Sequence, residues 1–469
     1  MKQRMTQRPD LSKLSSDEKD ALIMALLERV EELERRLGLN SSNSGKPPSS
    51  DGFKKPSRVT NQREKTGRKS GGQAGHEGTT LRQVPTPDKV VDHCPLVCTG
   101  CGGALSVEQT TGYQKRQVFD IVQPVVEVTE HRAHSCGCPA CGTETHAAFP
   151  AEVTAATQYG ATVEALVVYL QAWQLIPEDR LAELMTDVFS VDLATSTIAA
   201  MGQRKAQALT GLAAQIEQQV KDAAVKHLDE TGYRVAGVLQ WLHVASTGLL
   251  TCYRTSAKRG AMLAGVRGII VHDFWRSYWT MLGVMHALCN AHHLRELKAL
   301  MDIEKEPWAW AMHRFLRQAC HAANLARAHQ RSLSPRFLAW LSARYDRILA
   351  QGVAFHESQP PLGAGLPTRR GRIRRRTGHN LLLRLRDHKE ATLRFLLDPT
   401  VPFTNNQAER DLRMMKVRQK ISGGFRADTG AQTFVTLRTV LSTARKQGWN
   451  ILATLTTPPA ILTQNLRTA

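Results

Sequence analysis

Two Cys-x-x-Cys pairs, Cys98-Thr-Gly-Cys101 and Cys138-Pro-Ala-Cys141, constrain the first half of this chain more than any other feature. A two-residue gap lets both thiolates of a pair wrap one ion, and two such pairs complete a tetrahedral zinc site. Glycine follows each pair, at Gly102 and Gly142, where the backbone must turn back tightly. The alternative, disulfide bonding, needs an oxidising compartment. Residues 1–20 are polar without the apolar core of a secretion signal, and no apolar run is long enough to cross a membrane. A cytoplasmic, reducing setting is therefore expected, with thiols serving as metal ligands. Residues 90–146 hold six of the nine cysteines and read as one small module with a single structural zinc on Cys98, Cys101, Cys138 and Cys141. Cys94, Cys136, His93 and His134 are rival ligands. Between the pairs, Val118, Ile121, Val125 and Val128 alternate as in strands, so a hairpin is expected within residues 117–131.

The chain has 469 residues, enough for about three domains, and 42% hydrophobic residues mark it as globular. Its formal net charge of +20 points to a polyanionic partner, because basic side chains release the counterions condensed on phosphates. The basic residues are clustered. Lys54, Lys55, Arg68 and Lys69 belong to an arm that follows a polar, Pro-rich linker at residues 40–51. Arg369, Arg370, Arg372, Arg374, Arg375 and Arg376 crowd a Gly/Pro-rich loop. Both suit DNA phosphates; the bland alternative for each is a solvated charge run.

Hydrophobic spacing supplies the elements. Ile23, Leu26, Val30, Leu33 and Leu37 step by three and four within residues 16–38, a short leucine-zipper-like helix or one packed on its own chain. Val163 to Trp173, a segment opened by Pro177, and a third starting near Thr195 read as helices. The last carries Arg204 and Lys205, as the recognition helix of a helix-turn-helix does, although a plain bundle explains the pattern equally well. Over residues 223–290, short apolar runs alternate with turns and a helical stretch from Arg259 to Val266, which is an α/β pattern. Residues 291–400 look mostly helical.

Carboxylates mark the α/β region. Asp229 ends the run Lys226-His-Leu-Asp, and Asp273 ends Gly268-Ile-Ile-Val-His-Asp. A carboxylate at a strand end faces a cleft rather than the core. Glu409 follows Thr404 and Gln407, which resemble a capping box, so it is expected in the first turns of a helix. Three such groups can hold two Mg²⁺ or Mn²⁺ ions. Glu230, Asp398 and Asp411 are rivals. Cys289 and His293, in His286-Ala-Leu-Cys-Asn-Ala-His-His293, are candidate metal ligands too; the favoured reading is a strand end followed by a helix, with polar residues lining the cleft.

These motifs, in order, resemble a known family. They are the zipper-like helix, Leu39-Asn-Ser-Ser-Asn-Ser-Gly-Lys-Pro-Pro-Ser-Ser-Asp51, Gly71-Gly-Gln-Ala-Gly-His76, the cysteine pairs, Asp229-Glu-Thr, Asp273-Phe-Trp-Arg-Ser-Tyr278, Cys289-Asn-Ala-His-His293 and Asn405-Asn-Gln-Ala-Glu-Arg410. The set is similar to transposases of the insertion sequence 66 family of bacterial mobile elements, over nearly the whole chain. The resemblance implies a ribonuclease H-like catalytic domain at residues 220–425 with Asp229, Asp273 and Glu409 as its triad. The long interval before Glu409 then implies a helical insertion over about residues 300–400. It also implies a zinc-binding DNA domain ahead of the catalytic one. The full division is a helix at 1–40, a basic linker at 41–89, the zinc module at 90–146, a helical DNA-binding segment at 155–215, the catalytic domain, and a C-terminal element at 426–469. The implied activity is binding of terminal inverted repeats with two-metal strand cleavage and transfer. Its partners are element ends and target DNA, a second copy of the chain on DNA, and accessory proteins encoded by the element. Many members carry Cys-Trp-Ala-His-x-Arg-Arg where this chain has Cys289-Asn-Ala-His-His-Leu-Arg295. The alternatives are a non-catalytic zinc-containing DNA-binding regulator and a metal-dependent nuclease without strand transfer.

Overall fold

The computed structural model describes residues 12, 14–40, 43–44, 81–120, 126–260, 264–360, 362 and 375–468. Lys54, Lys55, Arg68, Lys69, Arg369, Arg370, Arg372 and Arg374 lie outside the described residues, as does the Gly71–His76 motif.

Helix α1 (Ser16–Gly38) begins with a capping box. Glu18 N–H donates to Ser15 Oγ at 3.2 Å, and Ser15 N–H donates to Glu18 Oε2 at 2.8 Å. Its zipper-spaced Ile23, Leu26, Val30, Leu33 and Leu37 are all exposed. Strands β1 (Ser135–Gly137) and β2 (Glu144–His146) pair antiparallel and bracket Cys138 and Cys141. The expected hairpin lies elsewhere: the described residues of 117–131 form no strand. Val118 and Val128 are about nine-tenths exposed, so no layer buries these two described positions of the alternating pattern, while Ile121 and Val125 lie outside the described residues.

The helices α2 (Ala161–Val168), α3 (Glu178–Phe189) and α4 (Thr195–Ala208) match the three expected segments, and a further helix, α5 (Thr210–Asp222), follows them. Pro177 caps α3, and Ser190 ends it in the left-handed region at φ 55°. A π-helical turn, Tyr169–Trp173, prolongs α2.

Five strands then build a mixed sheet. They are β3 (Val225–Val235), β4 (Val238–Ser246), β5 (Thr251–Ser256), β6 (Gly268–His272) and β7 (Val284–Leu288). Their order is β5-β4-β3-β6-β7. The first three are antiparallel neighbours; β6 runs parallel to β3, and β7 parallel to β6. Ala236 and Gly237, both at positive φ, make the two-residue turn between β3 and β4 that matches strand twist. The expected helix from Arg259 to Val266 is absent from its described residues, which form turns. Gly260 and Gly265 both take positive φ there, which a right-handed helix excludes.

Among the described residues, five helices separate β7 from the next acidic motif: α6 (Asn290–Ala299), α7 (Pro307–Ala328), α8 (Pro335–Glu357), α9 (Thr377–Asp387) and α10 (Lys389–Leu397). The chain closes with α11 (Asn406–Ser422), α12 (Asp428–Gln447), α13 (Ile451–Thr456) and α14 (Pro459–Gln464).

Strand alternation sends side chains to both faces, and both are covered. Ile269, Val271 and Ala287 pack with α6 to α10. Leu228, Ala245, Cys252 and Ile270 pack with α2 to α5 and α12. Helix α12 also masks the β5 edge: Thr251 N–H donates to Thr443 Oγ1 at 3.0 Å, and Tyr253 N–H to Thr439 Oγ1 at 3.1 Å.

Candidate active site

Register brings the two aspartates together. β3 and β6 pair Val225 with Ile269, Lys226 with Ile270 and His227 with Val271. Continued by two residues, that parallel register sets Asp229 level with Asp273 and on the same side of the sheet. Asp229 is mid-strand rather than at a strand end, because β3 runs on to Val235 in its hairpin with β4. Its neighbour β6 stops at His272, so Asp229 sits where the parallel pairing ends.

Glu409 arrives from the other side of the chain, in the first turn of α11. The expected cap is not made: Asn405, not Thr404, holds the N-cap position, and no side chain caps the helix. The Asn405 amide is committed elsewhere. Its Nδ2 donates to Leu228 O at 2.7 Å, and its Oδ1 stands 2.9 Å from His227 Nδ1. Its main-chain N–H donates to Cys289 Sγ at 3.0 Å. One buried residue thus ties α11 to β3 and to the β7–α6 junction. Its placement between Phe403 and Ala408 was visible in the sequence; its partners were not.

The electrostatics follow from crowding. Burial pushes the Asp229 carboxyl up to about 7 despite a 2.8 Å bond from Glu230 N–H, and the charges of Asp273, Glu409 and Glu230 add to the rise. Burial also raises Asp273, against a bond from Trp275 N–H at 3.0 Å. The three carboxylates repel one another here, a repulsion that divalent cations would relieve, although their oxygens do not gather as closely as the donors of Cys289, His292 and Glu409, which lie within 4.8 Å of one another. Arg295 Nη2 stands 3.5 Å from Glu409 Oε1, and His292 Nε2 is 3.9 Å from it.

The rival acids are already partnered. Glu230 meets Arg259 at 2.5 Å and His243 at 3.2 Å, and Arg259 stacks on Trp275 with its guanidinium carbon 3.5 Å from the ring centre. Asp411 meets Lys446 Nζ at 2.8 Å. Asp398 accepts from Thr400 in its own turn.

A cleft of about 240 Å³ opens beside Asp273, lined also by Trp275, Cys289, His292, His293 and Arg384. Cys289 follows β7 and precedes α6, as expected. The metal-binding partner geometry differs from the expectation: Cys289 groups with His292 and Glu409, whereas His293 is buried and bonded to Asn290 Oδ1 at 3.1 Å.

The two cysteine pairs form matching knuckles. Gly102 N–H donates to Cys98 O at 2.9 Å and Cys98 N–H to Gly103 O at 2.8 Å; Gly142 and Cys138 repeat both bonds with Cys138 O and Thr143 O at 2.8 Å. Gly102 and Gly142 share φ +74°. The amides of Cys101 and Gly100 hold the Cys98 thiol below its usual range, which favours the thiolate that zinc requires. The knuckles themselves do not converge: among the described residues, only Cys289, His292 and Glu409 gather as three potential ligands.

Of the basic positions, Arg204 is exposed and stands 3.7 Å from Glu164. Lys205 is half-buried. Arg375 is exposed, and Arg376 donates to Pro360 O at 2.8 Å.

Residues 156–433, more than half of the chain, match the model of the transposase IS66 family. The chain belongs to that family. Residues 95–142 of this family member match the zinc-finger binding domain of transposase IS66, which takes in both cysteine pairs. Residues 6–82 match a family of unknown function. No curated protein matches this transposase-family chain. None of its described helices is long and apolar enough to cross a membrane.

Proposed function

We propose that this chain binds the terminal inverted repeats of a bacterial insertion sequence, cleaves DNA strands there and joins them to a target. The observation that carries the reading is the meeting of Asp229 and Asp273 through strand register, with Glu409 close enough to raise both carboxyls. The sheet order, with three antiparallel strands and two parallel ones beyond them, supports a ribonuclease H-like catalytic domain. Helices α6 to α10 would be its insertion, within the domain division expected from the sequence.

Two Mg²⁺ or Mn²⁺ ions, when bound, supply activation of a water or 3′-hydroxyl and relief of charge on the leaving oxygen. Asp229, Asp273 and Glu409 would hold them. Asn405 orients the helix that carries Glu409, and Glu230 braces Arg259 against Trp275 beside the cleft. The zinc module would close when one zinc draws the two knuckles together through Cys98, Cys101, Cys138 and Cys141. The basic arm, Arg204, Lys205 and the arginine loop would contact phosphates. A second copy on the paired ends and accessory element proteins complete the proposed assembly, in the cytoplasm.

The test uses purified full-length protein and DNA carrying the element ends. Asp229→Asn, Asp273→Asn and Glu409→Gln should each lose cleavage by about 10³-fold or more, with end binding retained. Transfer of pre-cut ends separates a transposase from a simple nuclease. A Glu409→Gln protein that cleaves at the normal rate would remove the triad assignment.

A further inference from the structure

The cleft holds a second set of donor atoms beside the three carboxylates. Cys289 Sγ, a ring nitrogen of His292 and a carboxylate oxygen of Glu409 all lie within 4.8 Å of one another. Cys289 is the N-cap of α6 and His292 lies three residues on, so one helical turn presents both to the same side. The 3.9 Å between His292 Nε2 and Glu409 Oε1 is close to the separation of two ligands on one tetrahedral zinc, roughly 3.3–3.8 Å for bonds of about 2.0–2.3 Å.

The surroundings of the sulfur are an independent observation. Cys289 Sγ accepts from Asn405 N–H at 3.0 Å, although burial pushes the thiol up to about 11. Among the described residues no acceptor is placed for the thiol proton. A sulfur that accepts a main-chain N–H at a helix N-terminus, with imidazole and carboxylate donors within 4.8 Å, is arranged as a metal-bound thiolate would be.

We propose that Cys289, His292 and Glu409 form a zinc site that competes for Glu409 with the hard ions of the carboxylate triad. Sulfur, imidazole and carboxylate donors together favour Zn²⁺ over Mg²⁺. On binding, the thiol proton leaves to solvent as the sulfur–zinc bond forms. The fourth position opens to the 240 Å³ cleft. Arg295, now the nearest cation to Glu409 Oε1, yields its place. Held this way, Glu409 is withdrawn from Asp229 and Asp273, so Zn²⁺ acts as an inhibitor. The competition rests on the triad reading; the site does not.

The experiment counts zinc in full-length wild type, Cys289→Ala and His292→Gln after equilibration with Zn²⁺, then titrates Zn²⁺ into Mg²⁺-dependent cleavage. Wild type should carry one equivalent more than either variant, the knuckle zinc being common to all three. The Zn²⁺ concentration that halves cleavage should rise by about tenfold or more in Cys289→Ala. Equal zinc counts overturn the site. An extra equivalent that leaves cleavage untouched at saturation overturns the competition. If Cys289→Ala does not fold, His292→Gln at the cleft wall carries both measurements alone. A normal zinc difference with cleavage indifferent to Glu409→Gln would instead remove the triad reading and leave the site standing.

Discussion

The side-chain amide of Asn405 donates to the carbonyl oxygen of Leu228, the residue before Asp229, at 2.7 Å. Asn405 is 2% exposed, so truncating it strands that carbonyl in the interior. Asn405→Ala should cost roughly 1–3 kcal/mol of stability, read as a lower Tm. Glu409 should also lose its registration with the aspartates, and cleavage should fall by about 10²-fold. Asn405→Asp, which keeps the shape but loses the donor, should not restore either property. A variant that melts and cleaves like wild type would make the tether idle.

Asp411 lies two residues from Glu409 but serves the fold. It pairs with Lys446 Nζ, which also donates to Thr247 O and Leu250 O. Asp411→Asn leaves a largely buried ammonium without its counter-charge, a loss of roughly 3–5 kcal/mol. Denaturant unfolding should show that loss, and Asp411→Asn with Lys446→Met should recover much of it. Cleavage per folded molecule should stay within severalfold of wild type. A stable but inactive Asp411→Asn would move this carboxylate into the active site.

Lys226 gives the fold a pH signature. Its ammonium is fully buried, donating to Lys221 O at 2.9 Å and to Arg267 O. Burial pushes its pKa down to about 8 from the usual 10.5, with Asp222 opposing. Between those values the unfolded chain keeps a proton that the folded chain gives up. Stability from this group therefore rises as pH climbs from 8 to 10.5. The Tm of wild type relative to Lys226→Met should increase across that window; a flat difference would refute it.

The knuckle glycines carry a strain prediction. Gly102 and Gly142 both sit at φ +74°. Valine at either position should cost about 1–2 kcal/mol in the module alone and weaken its hold on zinc. Metal analysis should find the knuckle zinc lost from a Cys98→Ser, Cys138→Ser double variant. Retention there would shift the ligand assignment to Cys94, Cys136 or the neighbouring histidines.

Local chemistry was readable in the sequence where it acts locally. Pro177 before α3 and the start of α4 at Thr195 appear as their residue types direct. The acids at Asp229, Asp273 and Glu409 were visible as residues ending apolar runs or opening a helix. What stayed hidden depends on distant partners. Arg259 looked helical, yet Glu230 and the Trp275 ring, each remote in sequence, hold it in a turn. Thr404 looked like a cap, but the helix starts one residue later because Asn405 is anchored to β3 and Cys289. The sequence singled out His293 as the candidate partner of Cys289, but the phase of α6 brings His292 near Glu409 and buries His293.

Helices α6 to α10 stand in the sequence between Asp273 and the helix that carries Glu409. Synthesis at about 5–20 residues per second puts on the order of ten seconds between the second acid and the third. On the proposed reading, a nascent chain would expose its basic and cysteine-rich N-terminal half while it still lacked Glu409. If the triad acts as proposed, catalytic competence would be timed by translation, and a message broken within that interval would yield a chain with the zinc-finger module but without the third acid.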